Sequence, residues 1–368
     1  MSVSRDELLA RRFFHLNVCV ALVLLVAIVG SIFQFGVEAW KGQRQVGLIL
    51  PGGKADMGWN SAHYRGMKAA CDSLGYDLVL RENVPEDAAA CREAIQSLVE
   101  KRAKVIFLTN ISSLDTVSDV VREYPNIRFF GIGTDSSETE VHRYAVRYVE
   151  PFYLAGVLAG LRTKTGRVGY VAPYSDPVFN QCVNAFVLGV QKVRPDAQVF
   201  LAWTGGWENP ANGERAVWDF KAASVDVLGY MQDGDTLPLA ADRAGIHFIS
   251  LYGTYPSSRY GMAAITVDWK KAYSNMLRQY SRHFDHAAYW ATCLDRSVDI
   301  TARTEALTSR ERALFESEHW EVLQGKLVFT GEIYDRDGGL RCGAGESVSN
   351  QSLSRMNWLV KGVRFIGN

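Results

Sequence analysis

Two tryptophans lie beside glycines where predicted strands end. Trp59 belongs to the loop after predicted strand 46–50, which reads Pro-Gly-Gly-Lys-Ala-Asp-Met-Gly-Trp-Asn from residue 51, and Trp207 follows a Gly-Gly pair after predicted strand 198–203. Ligands of open α/β sheets lie in the crevice beyond the carboxyl ends of the strands. Each indole offers a stacking face there, and Asp56, Asn60 and Asp233 are polar candidates to read the edge of a stacked ring. The pattern predicts a ligand-binding site that holds a flat small molecule between two aromatic side chains.

Two alternatives stay open for these residues. Trp59 could pack beneath its own loop as a structural residue, with Asp56 only solvated. Sugars also stack on tryptophan, so the spacing favours a heteroaromatic ligand over a sugar only weakly.

The common signatures of catalysis are missing from the sequence. It contains no Gly-x-Ser-x-Gly elbow, no His-Glu-x-x-His zinc helix and no Gly-Lys-Ser/Thr phosphate loop. Residues 131–136 carry two glycines after a strand but lack the third glycine of a dinucleotide site. His63, His142 and His247 are scattered without the spacing of metal ligands. We therefore expect no catalytic residue, no cofactor and no metal ion, and a nucleoside-cleaving enzyme is the least favoured function.

Composition restricts the partners. The chain of 368 residues has 48% hydrophobic residues, and 40 Lys plus Arg balance 40 Asp plus Glu, so the formal net charge is zero. Nucleic-acid binding requires a basic surface, and this balance argues against it. The length and the apolar content are sufficient for two lobes, each with its own core.

The amino-terminal region contains an uncharged apolar stretch at residues 16–37. Its length spans the hydrocarbon core of a bilayer, and no convincing signal-peptide cleavage site follows it. Arg5, Arg11 and Arg12 precede the stretch, which weakly places the first 15 residues in the cytoplasm. We expect an uncleaved, single-pass membrane anchor at 16–37, a linker at 38–45, and the rest of the chain on the extracytoplasmic side.

Cysteine usage is consistent with an oxidising compartment without requiring disulfides. Five of the six cysteines, at positions 71, 91, 182, 293 and 342, lie outside the predicted anchor, so at least one of them is unpaired. Buried free thiols are the favoured interpretation for all five. Cys19 lies within the anchor and lacks the small-residue context of a lipidation site.

After residue 45 the chain alternates short apolar runs with helical patterns, which predicts βαβ units and a parallel sheet. The first series has strands at 46–50, 77–80, 105–109 and 128–132 and helices at 61–74, 87–101 and 114–123. The second has strands at 167–172, 198–203, 225–230 and 247–251, with helices at 180–193 and 213–223. Beyond them we predict a strand at 264–267, a helix at 270–284, a strand at 327–330 and a helix at 352–360. The fold class is therefore α/β, with two doubly wound lobes.

Several motifs in the same order resemble those of the basic membrane protein family of ABC-transporter substrate-binding proteins. They are Asp-Met-Gly-Trp-Asn at 56–60, Tyr-Leu-Ala-Gly-Val-Leu-Ala-Gly at 153–160, Thr-Lys-Thr-Gly-Arg-Val-Gly-Tyr-Val at 163–171, Val-Phe-Thr-Gly-Glu-Ile at 328–333, and Met-Asn-Trp-Leu-Val-Lys-Gly-Val at 356–363. Each motif is weak alone, but together they cover most of the chain after the anchor. The best-known ligands of the family are purine nucleosides and bases.

The resemblance implies a type I periplasmic-binding fold whose chain crosses the hinge three times, near Val149, Val267 and Asp295. Lobe I would comprise residues 46–149 with 268–295, and lobe II residues 150–267 with 296–368. It also implies a purine-like ligand between Trp59 and Trp207, no catalysis, and an ABC permease as partner.

Two features depart from the family pattern. An Asp-rich loop is usual after the strand that is here 247–251, whereas this chain reads Tyr-Gly-Thr-Tyr-Pro from residue 252. The ligand is therefore expected to lose one polar contact. The retained anchor is the second departure, and it keeps open a sensory module that signals to a membrane partner.

Overall fold

The structure is a computed structural model that describes residues 22–31, 44–56, 58–109, 113–133, 141–253, 255, 257–281 and 288–366. Residues 22–31 form helix α1, whose apolar side chains are exposed. No helix in this described part combines the length and the apolarity needed to cross a membrane. The remainder of the predicted anchor at 16–37 lies outside the described residues, so the anchor stays a prediction.

Helices and strands alternate through most of the described chain. The strands are β1 (Gln45–Ile49), β2 (Asp77–Arg81), β3 (Val105–Leu108), β4 (Arg128–Ile132), β5 (Val141–Val146), β6 (Arg167–Ala172), β7 (Gln198–Trp203), β8 (Val227–Tyr230), β9 (His247–Leu251), β10 (Gly261–Val267), β11 (Tyr289–Ala291), β12 (Val298–Ala302), β13 (Ile333–Tyr334), β14 (Leu340–Cys342) and β15 (Val363–Phe365). The helices after α1 are α2 (Trp59–Leu74), α3 (Ala88–Glu100), α4 (Ser113–Glu123), α5 (Val149–Arg162), α6 (Pro177–Val193), α7 (Pro210–Ala222), α8 (Thr236–Ala244), α9 (Trp269–Ser281), α10 (Ser309–Leu323) and α11 (Asn350–Leu353).

Two sheets define two lobes. Within the described residues, lobe I has the strand order β11-β5-β4-β3-β1-β2, and every pairing is parallel. Lobe II has the order β12-β10-β9-β8-β6-β7-β15, in which only β10 and β12 are antiparallel. Short antiparallel strands β13 and β14 form a separate hairpin. The predicted α/β class with parallel sheets is confirmed.

The chain passes between the lobes three times in the described part. It leaves β5 of lobe I for α5, which packs on α6 and β8 of lobe II. It returns from β10 to α9, which packs on α2 of lobe I, and it crosses again between β11 and β12. Val149 is the first residue of α5, Val267 is the last of β10, and Asp295 lies in the turn between β11 and β12. These three segments join the two lobes.

The buried strands account for the apolar runs in the sequence. All four residues of β3 are buried, as are the last five of β6, since helices cover both faces of these parallel sheets. Gly66 lets α9 approach α2 closely, because a Cβ atom at this position would lie 2.2 Å from the Cβ of Trp269. That close approach brings Trp269 next to the first turn of α2.

Two predictions near the carboxyl terminus are wrong. Residues 327–330 form no strand and contribute one isolated bridge, from Thr330 to Ser347. The helix predicted at 352–360 is replaced by the four-residue α11, a turn at 354–355 and a segment without regular secondary structure at 356–359. Side chains of α6 bind this segment: Asn180 and Asn184 donate to the carbonyl oxygens of Met356 and Trp358, and Asn184 accepts from the N–H of Val360. Tertiary bonds thus take the place of helical ones.

The five cysteines outside the predicted anchor are all described, and all five are free and buried. Burial raises the pKa of Cys71 to about 12. They pack as small apolar residues, as the sequence favoured.

Candidate functional site

The loop after β1 is built around Asp56. Its carboxylate accepts from the backbone N–H groups of Gly58 (2.9 Å), Asn60 (3.0 Å) and Ser61 (2.8 Å), which lie at the start of α2. The side-chain amide of Asn60 also donates to it at 2.6 Å. Partial burial opposes ionisation, but these hydrogen bonds outweigh it and lower the pKa of Asp56. Asp56 is therefore an ionised cap of α2.

Asn60 is likewise engaged within the loop. Its Oδ1 accepts the N–H of Gly52 at 3.1 Å while its Nδ2 donates to Asp56. The structure thus gives Asp56 and Asn60, two of the predicted ligand contacts, a role in shaping the loop that presents Trp59.

Trp59 is the first residue of α2 and is partly buried. Its Nε1 donates to the carbonyl oxygen of Thr109, just past the end of β3, at 3.0 Å. Its indole makes edge contacts with His63 and Trp269, with ring centroids 4.1 and 5.8 Å apart. The hydrogen bond and the ring contacts fix the indole at the carboxyl edge of the lobe I sheet.

A neutral histidine lies beneath Trp59. His63 is fully buried, and its Nδ1 is 2.5 Å from the hydroxyl of Tyr273. Burial lowers the pKa of His63 well below its usual value, although the nearby charge of Asp56 acts in the opposite direction. His63 Nε2 and Trp269 Nε1 are buried without a partner among the described residues. The imidazole supports the indole and carries no charge.

Tyr252 approaches Trp59 from lobe II. It directly follows β9, and its ring lies edge-on to the indole of Trp59 at 6.2 Å. Its hydroxyl forms a short hydrogen bond with that of Tyr148, in the first crossing segment. The sequence marked Tyr252 only as a departure from a family pattern. Its position after a strand of the parallel sheet, the same feature that singled out Trp59, was the signal that could have placed it in the site.

Asp233 and Trp207 form the other side of the crevice in lobe II. The N–H of Asp233, which follows β8, donates to the carbonyl oxygen of Trp207 at 3.1 Å. The Trp207 ring packs edge to face on Phe179, near the start of α6, with centroids 5.1 Å apart. The loops that carry the two predicted residues are therefore in direct contact.

The carboxyl group of Asp233 has a raised pKa. Burial, and then the negative charges of Asp56 and Glu208, raise its pKa to about 6. Asp56 belongs to lobe I and Asp233 to lobe II, so this charge acts from one lobe on the other. One oxygen of Asp233 is buried without a hydrogen-bond partner among the described residues. An N–H donor on a ligand would satisfy that oxygen.

Together these residues form a crevice with the aromatic and polar groups that a small-molecule binding site uses. Trp59 and Trp207 have no ring contact with each other, so the sandwich of a ligand between them stays a prediction. The described residues contain no group of three or more His, Cys, Asp or Glu side chains placed to hold a metal ion. What the crevice does offer is aromatic surface and one unsatisfied carboxylate oxygen.

Comparisons with known proteins are consistent with this geometry. Residues 43–282 match the model of the Bmp family, described as ABC transporter substrate-binding protein PnrA-like. The chain is 26% identical over 348 residues to a purine-binding protein of Brucella abortus (strain 2308), covering 92% of this chain and 98% of that protein. It is 27% identical over 240 residues to a provisionally named ABC transporter glucose-binding protein of Haloferax volcanii, covering 64% of this chain and 61% of that protein.

Solved structures share the fold. An ABC transporter solute-binding protein from Conexibacter woesei superposes with a TM-score of 0.64 at 17% identity, over 77% of this chain and 97% of that one. The two lobes therefore have the arrangement of periplasmic binding proteins.

Proposed function

Because this chain belongs to the Bmp family of PnrA-like ABC transporter substrate-binding proteins, we propose that it captures a purine base or nucleoside between its lobes and delivers it to an ABC permease. One observation carries the purine assignment: lobe I presents the fixed indole of Trp59, and in lobe II Asp233 has an unsatisfied, buried oxygen. A purine has a flat face for the indole and ring or amino N–H groups for the carboxylate. The similarity to a purine-binding protein supports the same choice.

Capture would work by closing the crevice. A ligand that touches Trp59 in lobe I and Asp233 in lobe II binds the closed state better than the open one, and closure is favoured by that difference in affinity. Such a motion would be taken up by the three crossing segments, which connect the two sheets. The role of the described residues is then to bind and orient the ligand, without a chemical step.

Calorimetry on the purified full-length chain in detergent tests this proposal. We expect at least one of adenine, guanine and adenosine to bind, and glucose, leucine and uracil to bind at least about tenfold more weakly than that ligand, because they lack the purine's stacking area or its N–H edge. Mass spectrometry of the mixture after incubation should recover the ligand unchanged. A preference for glucose would instead favour the sugar alternative, and release of free base from adenosine would indicate an enzyme.

We also propose that residues 16–37 anchor the protein in the cytoplasmic membrane with the two lobes on the outer side. The uncharged stretch and the exposed apolar side chains of α1 support this arrangement. A reporter enzyme fused after Gln45 should be active only outside the cytoplasm and should remain in the membrane fraction after washing with alkaline carbonate. Recovery of a shortened, unanchored protein, or activity in the cytoplasm, would contradict the anchor.

A further inference from the structure

Tyr252 brings aromatic surface into the crevice where the chain leaves the lobe II sheet. It contacts Trp59 of the other lobe edge-on at 6.2 Å, and its hydroxyl is bonded to Tyr148 in the first crossing segment. Its ring also lies 6.3 Å from the Tyr148 ring, at an interplanar angle of 75°. Tyr252 thus links lobe II, the hinge and the proposed stacking face.

The backbone of Tyr252 has a conformation that is energetically unfavourable for a bulky residue. Its φ of 62° lies in the left-handed region, which bulky residues rarely adopt. The N–H of Tyr252 donates to the carbonyl oxygen of Ile265 on β10 at 2.8 Å. The N–H of Gly253 donates to the carbonyl oxygen of Leu251, also at 2.8 Å. Such a conformation persists only where the surroundings fix it, so the ring is a rigid part of the crevice wall.

The polar groups around this wall suit a ring better than a sugar. Both carboxylate oxygens of Asp56 already accept hydrogen bonds from the α2 terminus, and the hydrogen bond between the Tyr148 and Tyr252 hydroxyls uses one of their two O–H donors. The unsatisfied oxygen of Asp233 can accept the N–H of a flat ring. A pentose, by contrast, brings several hydroxyl groups that each need a partner when buried, and leaving them unpaired is costly.

We infer that Tyr252 determines specificity in this crevice by admitting a free purine base and excluding the pentose of a nucleoside. The inference rests on the proposed function and narrows its ligand class. The ring of Tyr252 lies edge-on beside the indole of Trp59, so a pentose on a base stacked there would meet it. A nucleoside would have to displace a side chain that is fixed by its backbone and by Tyr148.

The test compares adenine with adenosine by calorimetry in the wild type and in the variants Tyr252→Gly and Tyr252→Phe. The wild type should bind adenosine about tenfold to a hundredfold more weakly than adenine, the range expected when extra bulk is forced against packed side chains. Tyr252→Gly, which suits the left-handed backbone and removes the ring, should reduce that ratio at least about tenfold by improving adenosine binding. Tyr252→Phe keeps the ring and should keep the wild-type ratio.

Tyr255→Gly is the matched control, because the Tyr255 ring packs against Phe248 at 5.5 Å. It should leave the ratio of adenine to adenosine affinity unchanged. Equal affinities in the wild type, or an unchanged ratio in Tyr252→Gly, would overturn the role of Tyr252 while purine capture stands. If neither adenine nor adenosine binds to the wild type or to any folded variant, purine capture is refuted, and this inference is refuted with it.

Discussion

The raised pKa of Asp233 predicts a contribution to the stability of the ligand-free protein that is present at acidic pH and lost at neutral pH. Its pKa in the folded chain is about 6, raised by burial and by the charges of Asp56 and Glu208. An aspartate in an unfolded chain has a pKa of about 3.9, so the difference of about 2 pH units corresponds to about 3 kcal/mol. Because the folded pKa is the higher one, this stability is fully present below about pH 4 and is lost as the pH rises through 6.

The variant Asp233→Asn removes the titration. Its free energy of unfolding should equal or fall slightly below that of the wild type at pH 4 and exceed it at pH 8, with a relative gain approaching about 3 kcal/mol. Urea unfolding of the ligand-free protein at several pH values measures this gain. Asp235→Asn is the control, since Asp235 is exposed and its side chain makes no capping hydrogen bond to α8.

The affinity for purine should depend on pH in the opposite direction to this stability contribution. An ionised Asp233 is the better acceptor for a purine N–H, so affinity should fall as the pH drops through about 6, by up to about tenfold per pH unit. Asp233→Asn should bind purine more weakly than the wild type at pH 8 and show no such dependence. A stability difference between wild type and Asp233→Asn that stays flat from pH 4 to pH 8 would refute the assignment of a buried, repelled carboxylate.

Three further variants test the two stacking faces and the packing of α9 on α2. Trp59→Ala and Trp207→Ala should each weaken purine binding by roughly 1 to 3 kcal/mol, or about tenfold to a hundredfold, because each removes one stacking face. Calorimetry measures this loss. Unchanged affinity together with a lowered melting temperature would show that the tryptophan in question is structural and does not belong to the site. Gly66→Ala should lower the free energy of unfolding by about 1 to 3 kcal/mol in urea, since its Cβ would lie 2.2 Å from the Cβ of Trp269; wild-type stability would show that α9 can move away from α2 without cost.

Local pattern in the sequence was enough for the fold class. Apolar runs bounded by glycines and polar turns mark strands that are buried on both faces, and helical spacing marks the helices between them. The same local logic singled out Trp59, because a glycine turn after a buried strand presents its side chain at the sheet edge. It failed at 352–360, where Asn180 and Asn184 of α6 bind the backbone of residues 356–360 in place of helical hydrogen bonds.

Tertiary structure alone decided how the polar residues of the site are used. The sequence predicts Asp56 and Asn60 as ligand contacts, and in the fold both side chains form hydrogen bonds within their own loop. The acidity of Asp233 depends on burial and on the charge of Asp56 in the other lobe, and no local pattern reports either. Tyr252 meets Trp59 only because two separate sheets place their carboxyl edges face to face. Periodicity records which side of an element is buried, whereas contacts and fields across the crevice depend on how the lobes come together.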